Sequence, residues 1–138
     1  MGAVDYKDGG IMASVGTFRT TIKVENAERR GVMLDVADAL VDTSSELTWI
    51  PSDVLASLGI RSEGVQRFIV ADGRTLERQL GIGIVHTEGR HAPDYLVFAL
   101  PGDMIILGSR SLEGLNLRVD APTKRLVPAG PVLAVVAA

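Results

Sequence analysis

Apolar and polar positions alternate along most of this chain, a pattern typical of strands that bury one face. The stretch TFRTTIKVE (17–25) alternates in this way and leaves Glu25 on its polar face. Turn-forming residues follow at 26–31, and VMLDVADALVD (32–42) becomes wholly apolar before it ends in a carboxylate. The pattern predicts a hairpin whose second strand enters the core.

Two segments carry helix signals, and both are short. In PSDVLASLGI (51–60), Ser52 is a good N-cap and Gly59 is suited to end a helix. A second brief helix is predicted over SRSLEGL (109–115). Strand and helix signals do not alternate regularly, so the pattern favours an all-β fold with two short helices.

The pattern in the middle of the chain predicts a series of hairpins. Residues 66–100 contain two hairpin signals, Asp72-Gly73 and Glu88-Gly89, and predict a meander of about four strands. MIILG (104–108) predicts a short buried strand, and residues 115–128 predict a last hairpin.

We expect one folded domain over residues 17–128, flanked by two segments of different character. Residues 1–16 show no regular spacing of apolar residues and include DYKD, the start of a common epitope tag. We therefore expect a flexible segment that is partly tag-derived. Residues 129–138 are apolar and would be prone to aggregation as a free edge. We therefore expect this tail to be a dimer-interface strand or to lie over a groove.

Composition removes several classes of function. The chain has 138 residues and a formal net charge of -3, with basic and acidic residues interspersed, which argues against a nucleic-acid partner. It has no cysteine, so disulfides, thiol nucleophiles and Cys-based metal sites are excluded. No apolar run reaches the roughly 18 residues that cross a bilayer, and the N-terminus lacks a signal-peptide pattern. We expect a cytoplasmic protein with no membrane partner.

Few residues are placed for chemistry. His86 and His91 flank the Glu88-Gly89 turn, and they are either a metal-holding pair assisted by Glu88 or, as we favour, two exposed polar residues. The phosphate-binding, zinc-protease and serine-hydrolase motifs are absent from the sequence. Most acids, Asp94 among them, are expected on solvated turns or strand faces. Asp42 differs because it ends an apolar run and precedes three hydroxyl residues.

Two motifs then carry a resemblance to a known family. ALVDTSSELTWIP (39–51) resembles the catalytic loop of aspartic proteases, in which two apolar residues precede Asp, Thr or Ser, Gly, and then Ser or Ala. MIILGSRSLEGL (104–115) resembles the second signature of the retropepsin branch, an apolar pair followed by Gly and a short helix. The hairpin at Asp72-Gly73 falls in the place of the flap. The chain is thus similar to retropepsin-like aspartic proteases over residues 17–136, and more narrowly to the small single-domain ones of prokaryotes.

The resemblance implies a closed all-β barrel with one lobe per chain and a homodimer that cuts a peptide or protein substrate. One Asp42 from each subunit would meet at the two-fold axis, share a proton and activate water against the peptide bond, without metal or cofactor. The supporting loop would be Thr43, Ser44 and Ser45. The substrate-binding residues would be Glu46, Leu47, Ile69, Asp72, Gly73, Arg74 and Ile106. The second signature would be Ile105, Ile106, Leu107 and Gly108.

Two details qualify this interpretation. The family has glycine where this chain has Ser44, and a Cβ at that crowded position predicts reduced or selective activity. The alternative is a dimer of the same fold that binds peptides without cutting them. Arg110, early in the second helix, is expected to pair with Glu46.

Overall fold

The computed structural model describes residues 17–136, and the segment 1–16, for which we expect flexibility, lies outside the described residues. Strands dominate this part of the chain, and the two helices are one or two turns long. The elements, in chain order, are β1 (Phe18–Glu25), β2 (Met33–Val41), β3 (Thr48–Pro51), α1 (Ser52–Ser57), β4 (Gly64–Ile69), β5 (Thr75–Thr87), β6 (Arg90–Ala99), β7 (Ile106–Leu107), α2 (Ser109–Leu115), β8 (Leu117–Asp120) and β9 (Arg125–Pro128).

Seven of these strands form one sheet that closes on itself. The order is β1-β2-β7-β3-β6-β5-β4, and β1 also pairs with β5, so six strands make a ring from which β4 projects as the outer half of a hairpin. Strands β8 and β9 form a separate two-stranded ribbon. The predicted all-β closed barrel with two short helices is confirmed.

Apolar side chains from every wall of the ring fill its interior. The strand alternation predicted for β1 is confirmed, since Ile22 and Val24 are buried while their neighbours Thr21 and Lys23 are exposed. The members of this core with no more than 1% exposure include Ile22, Val24, Val41, Ile50, Leu55, Val85, Leu96 and Leu107. Their burial is the main source of stability of the barrel.

The predicted hairpins are present, with one difference in strand number. The Asp72-Gly73 turn joins β4 to β5, and the Glu88-Gly89 turn joins β5 to β6. Both Glu88 and Gly89 have positive φ, 54° and 72°, as a tight two-residue hairpin turn requires. The expected meander of four strands is wrong, because β5 runs unbroken for 13 residues and the segment holds three strands.

Two local predictions need correction. Ser52 does not cap α1: the helix begins at Ser52, the N-cap position is Pro51, and no side chain caps it. Glu25 does not lie on a polar face but is 2% exposed, because the end of β1 packs under the 26–31 turn and beside β5. Within residues 17–136, neither helix is long and apolar enough to cross a membrane.

The short strand β7 has the placement that matters most for the site. It lies between β2 and β3, parallel to β2 and antiparallel to β3, and Ile106 is opposite both Leu40 and Trp49. The chain that connects β2 to β3 must therefore pass around the end of β7. This connection is the loop that begins with Asp42.

Candidate active site

Asp42 is the first residue after β2, and the backbone of β7 fixes where it begins. Its amide donates to the Leu107 carbonyl at 3.2 Å, and one pair earlier the Leu40 amide donates to the Ile105 carbonyl at 2.9 Å. The Asp42 carbonyl in turn accepts from the Ser45 amide at 3.2 Å, which closes a tight turn. The acid thus lies at a strand end, as its position after an apolar run predicts, and the backbone of residues 105–107 holds it there.

Asp42 is half-buried as a residue, and its carboxylate is bound on one side. Its Oδ1 atom accepts two hydrogen bonds from Ser44, one from the amide at 3.0 Å and one from the hydroxyl at 2.6 Å. Within residues 17–136 no hydrogen bond reaches Oδ2. One oxygen is therefore fixed, and the other remains available to a water or a second acid.

The other two hydroxyl residues of the loop face elsewhere. Ser45 donates its hydroxyl to the Leu47 carbonyl at 2.9 Å. Thr43 is exposed, and in the described part of the chain its hydroxyl has no partner. Bracing by Thr43 across a dimer axis remains a prediction.

Gly108 lets the loop and the second signature touch backbone to backbone. A Cβ at this residue would lie 2.5 Å from the Leu47 carbonyl oxygen, 2.7 Å from the Leu47 carbonyl carbon and 2.8 Å from the Ser45 carbonyl oxygen. Just beyond it, the Ser109 amide donates to the Ser45 carbonyl at 2.8 Å and the Arg110 amide to the Glu46 carbonyl at 3.0 Å. The start of α2 thus supports the loop at successive residues.

A buried chain of hydrogen bonds underlies this contact. The Gly108 amide donates to Thr48 Oγ1 at 2.9 Å, Thr48 Oγ1 lies 2.6 Å from Ser111 Oγ, and Ser111 donates to Asp94 Oδ2 at 2.9 Å. A carboxylate only accepts, so Ser111 donates to Asp94 and Thr48 donates to Ser111. Asp94 is a correction to the sequence analysis: its side chain is 7% exposed and ends the network rather than facing solvent.

Beside the loop lies a cavity of about 810 Å³. Its floor is the loop and β3, and its opposite wall is the β4–β5 hairpin, which approaches β3 where the rings of Trp49 and Phe68 are 4.9 Å apart. The lining residues predicted from sequence are Ser44, Ser45, Glu46, Leu47, Ile69 and Ile106. Ile69 is 79% exposed, so it is a wall residue and not part of the core.

The turn predicted as the flap tip does not line this cavity. Asp72 Oδ1 accepts from the Arg74 amide at 3.0 Å and Asp72 Oδ2 from Arg74 Nε at 2.6 Å, while the Gly73 amide donates to the Val70 carbonyl. The Arg74 amide and then its guanidinium hold the pKa of Asp72 below its ordinary value. The turn is internally ordered, and its contact with a substrate remains a prediction.

One end of the cavity is charged. Arg110 lies 4.0 Å from Glu46 and 3.8 Å from Asp94, and its guanidinium is 5.5 Å from the centre of the Tyr95 ring. The expected approach of Arg110 to Glu46 is therefore present, with Asp94 as a second partner that the sequence analysis missed.

The histidine pair belongs to a different part of the molecule. His86 and His91 are opposite each other in the β5–β6 register, with ring centres 5.2 Å apart, and His86 Nε2 lies 2.8 Å from Glu25 Oε1. The Gly31 amide, followed by His86 and Arg30, lowers the pKa of Glu25 to about 2. Among residues 17–136 no three His, Cys, Asp or Glu side chains are grouped so as to hold a metal ion.

Sequence reasoning missed most of the cavity wall. The additional lining residues are Trp49, Gln66, Arg67, Phe68, Val70, Leu80, Tyr95 and Arg110. Trp49 was the most accessible signal, because it is the one tryptophan of the chain and follows the Asp-Thr motif closely. The hairpin residues gave no such signal, since their approach to the loop depends on how β4 and β5 curve over β3.

Comparisons with known proteins find similarity among solved structures only. No protein-family model matches the chain, and a search of curated proteins gives no match. Among solved structures, the chain is similar to the solution structure of the protease of simian foamy virus (mac), with 17% sequence identity and a TM-score of 0.45. The similarity covers 68% of this chain and 92% of that chain.

Proposed function

We propose that this chain is an aspartic endopeptidase that acts as a homodimer, with Asp42 of each subunit as the catalytic acid. The observation that carries the proposal is the junction of two distant segments. Strand β7 lies between β2 and β3 and holds the Asp42 loop beside a cavity of about 810 Å³. A cavity of this size, lined by apolar and polar side chains in about equal number, suits part of an extended peptide.

The chemistry requires a second carboxylate. Two carboxyls about 3 Å apart cannot both ionise, so a pair shares one proton, as the aspartic proteases illustrate in general. The ionised member takes a proton from water while the protonated member donates to the peptide carbonyl oxygen. Because the sequence has one Asp-Thr motif, the second acid comes from another copy of the chain.

The state of Asp42 in the single chain is compatible with this role. Its Oδ1 is held by Ser44, and its Oδ2 has no partner among the described residues. The exposed Thr43 hydroxyl lies next to it in sequence and suits a contact to the partner loop. Both features are what one half of a symmetric site requires.

The C-terminal tail supports the dimer in a similar way. Val132, Leu133, Val135 and Val136 are 78%, 90%, 96% and 80% exposed. Exposed apolar residues in a row favour burial against another chain. Residues 129–136 do not line the cavity, so in this conformation they do not block the cleft. We therefore favour the interface strand over the internal blocker.

The test compares wild type with Asp42→Asn and with Asp35→Asn, an exposed acid on the preceding strand, as matched control. We expect wild type and Asp35→Asn to cleave a mixed peptide library at acidic to neutral pH, and Asp42→Asn to lose at least about 100-fold in rate, the usual scale of acid–base catalysis. Sedimentation should report a dimer. Equal rates for wild type and Asp42→Asn, or a persistent monomer at high concentration, would contradict the proposal.

A binding protein of the same fold is the second candidate, because Ser44 stands where the related proteases have glycine. In that case wild type and Asp42→Asn bind peptides equally and neither cuts them. The narrower kinship with the small single-domain retropepsin-like proteins of prokaryotes is also part of this proposal. A peptide-binding dimer without cleavage would leave that kinship in place and remove the enzyme.

A further inference from the structure

Ser44 provides both protein donors to the Asp42 carboxylate within the described residues. Its amide and its hydroxyl converge on the same oxygen, Oδ1, at 3.0 and 2.6 Å. A hydroxyl donor at about 2.6 Å from a carboxylate oxygen is typical of a charge-assisted hydrogen bond. The other loop hydroxyls do not bind this carboxylate: Ser45 donates to the Leu47 carbonyl, and the exposed Thr43 makes no hydrogen bond to it among the described residues.

Ser44 also tolerates its position without strain. The described non-glycine residues with positive φ are Asp38, Glu88, Asn116 and Lys124, and Ser44 is not among them. Its backbone therefore adopts a conformation that any L-residue reaches, and a glycine is not needed for torsion. Backbone torsion is therefore no reason to expect Ser44 to impair the site, and the effect of its Cβ on crowding in a dimer stays a prediction.

We propose that Ser44 is a positioning residue that fixes the rotation of the Asp42 side chain by binding Oδ1 and leaves Oδ2 as the oxygen that reacts. This inference rests on the proposed function for its catalytic consequence. Two donors from one residue onto one oxygen restrict the side-chain torsions of Asp42, so the remaining oxygen has one orientation relative to β7. Groups held before the reaction lower the barrier because less reorganisation is needed.

The test uses three substitutions at this residue. Ser44→Ala keeps the Cβ and the amide donor but removes the hydroxyl, Ser44→Thr restores a hydroxyl, and Ser44→Gly introduces the family residue. If cleavage occurs, we expect kcat to fall about tenfold in Ser44→Ala with little change in KM, and to recover in Ser44→Thr. A change confined to KM would indicate a substrate contact instead and would overturn the proposal.

A spectroscopic measurement keeps the proposal testable without activity. The ¹³Cγ resonance of Asp42, assigned by its loss in Asp42→Asn, should shift in Ser44→Ala at constant pH and return towards wild type in Ser44→Thr. The control is Ser62→Ala, which removes a hydroxyl bonded to Gly64 and Gln79 outside the loop and the cavity and should leave the Asp42 signal unchanged.

The outcomes separate the two proposals. A shifted Asp42 signal with no cleavage by any variant retains the positioning role and removes the peptidase. An identical Asp42 signal in wild type and Ser44→Ala overturns the positioning role, whatever the activity. A kcat for Ser44→Gly above that of wild type would also overturn it, because the hydroxyl would then hinder the reaction.

Discussion

Replacing Gly108 with alanine tests the junction on which the whole site depends. The residue has φ -93° and ψ 176°, which alanine adopts freely, so any effect is steric. The new Cβ would lie 2.5, 2.7 and 2.8 Å from backbone atoms of Leu47 and Ser45, where relaxed contacts of carbon atoms are about 3.5 Å or longer. The loop would have to move by close to 1 Å, since these neighbours are backbone and not flexible side-chain ends.

The cost follows from what that movement breaks. Overpacking of a rigid site costs about 1–3 kcal/mol, and the displaced carbonyls of Ser45 and Glu46 each lose a hydrogen bond worth about 1 kcal/mol. We expect a loss of about 3–5 kcal/mol in the free energy of unfolding. For a domain of this size, about 3–5 °C of Tm accompanies each kcal/mol, so Tm should fall by roughly 10 °C or more.

The free energy of unfolding and the Tm of Gly108→Ala are measured by urea and thermal denaturation, and the matched control is Gly64→Ala. Gly64 begins β4, its φ is not positive, and a Cβ there would meet nothing within 4 Å. We expect it to be neutral or to stabilise by up to about 1 kcal/mol through the unfolded chain. If Gly108→Ala unfolds within about 1 kcal/mol of Gly64→Ala, the backbone contact is not tight and this account of the site is wrong.

Two further predictions concern buried polar groups. Thr48→Val removes the acceptor of the Gly108 amide, so it should lower the free energy of unfolding by about 1–3 kcal/mol in urea denaturation. The control, Thr21→Val on the exposed face of β1, should change it little. Equal effects of the two substitutions would contradict the hydrogen-bond network. Ionised Glu25 stabilises the fold above its ordinary pKa of 4.5, and this stabilisation is lost as the pH falls towards its folded-state pKa of about 2. Glu25→Gln should therefore have a lower free energy of unfolding than wild type at pH 7, and the difference should shrink as the pH falls from 4.5 towards about 2. A difference that does not depend on pH would argue against the charged contacts to Arg30 and His86.

Local chemistry made much of the fold predictable. Helix α2 occupies the predicted residues 109–115, and the turns at Asp72-Gly73 and Glu88-Gly89 join the expected strands. These features are decided by neighbouring residues: positive φ at a hairpin turn, a glycine before a helix, and alternation along a strand. The prediction of four strands failed because nothing in a continuous β-forming run marks where one strand ends, and β5 simply continues for 13 residues.

Burial of charged residues was less predictable, because it depends on segments distant in sequence. Glu25 follows the polar side of the alternation in β1, yet the Gly31 amide and His86, 61 positions away, surround it. Asp94 shares a face of β6 with the buried Leu96. Its carboxylate is covered by Ser111 and Arg110 from α2. Both carboxylates are satisfied by donors that a strand pattern does not contain. Alternation assigns Glu25 to solvent, whereas for Asp94 it was the charge of the residue, and not the alternation, that suggested an exposed position.

The position of Asp42 is the clearest case of a tertiary property with a local signal. An apolar run that ends in Asp-Thr marks the residue, but the run does not determine what holds the loop. That depends on a strand of two residues, β7, which inserts between β2 and β3, and on Gly108, where the two segments approach closer than any side chain allows. A pairing this short has little stability of its own, so it depends on the burial of its own residues, Val41 and Leu107, in the core of the barrel. The orientation of the acid is thus set by the closure of the core, and a substitution at the junction should disturb the site before it disturbs the remaining strands.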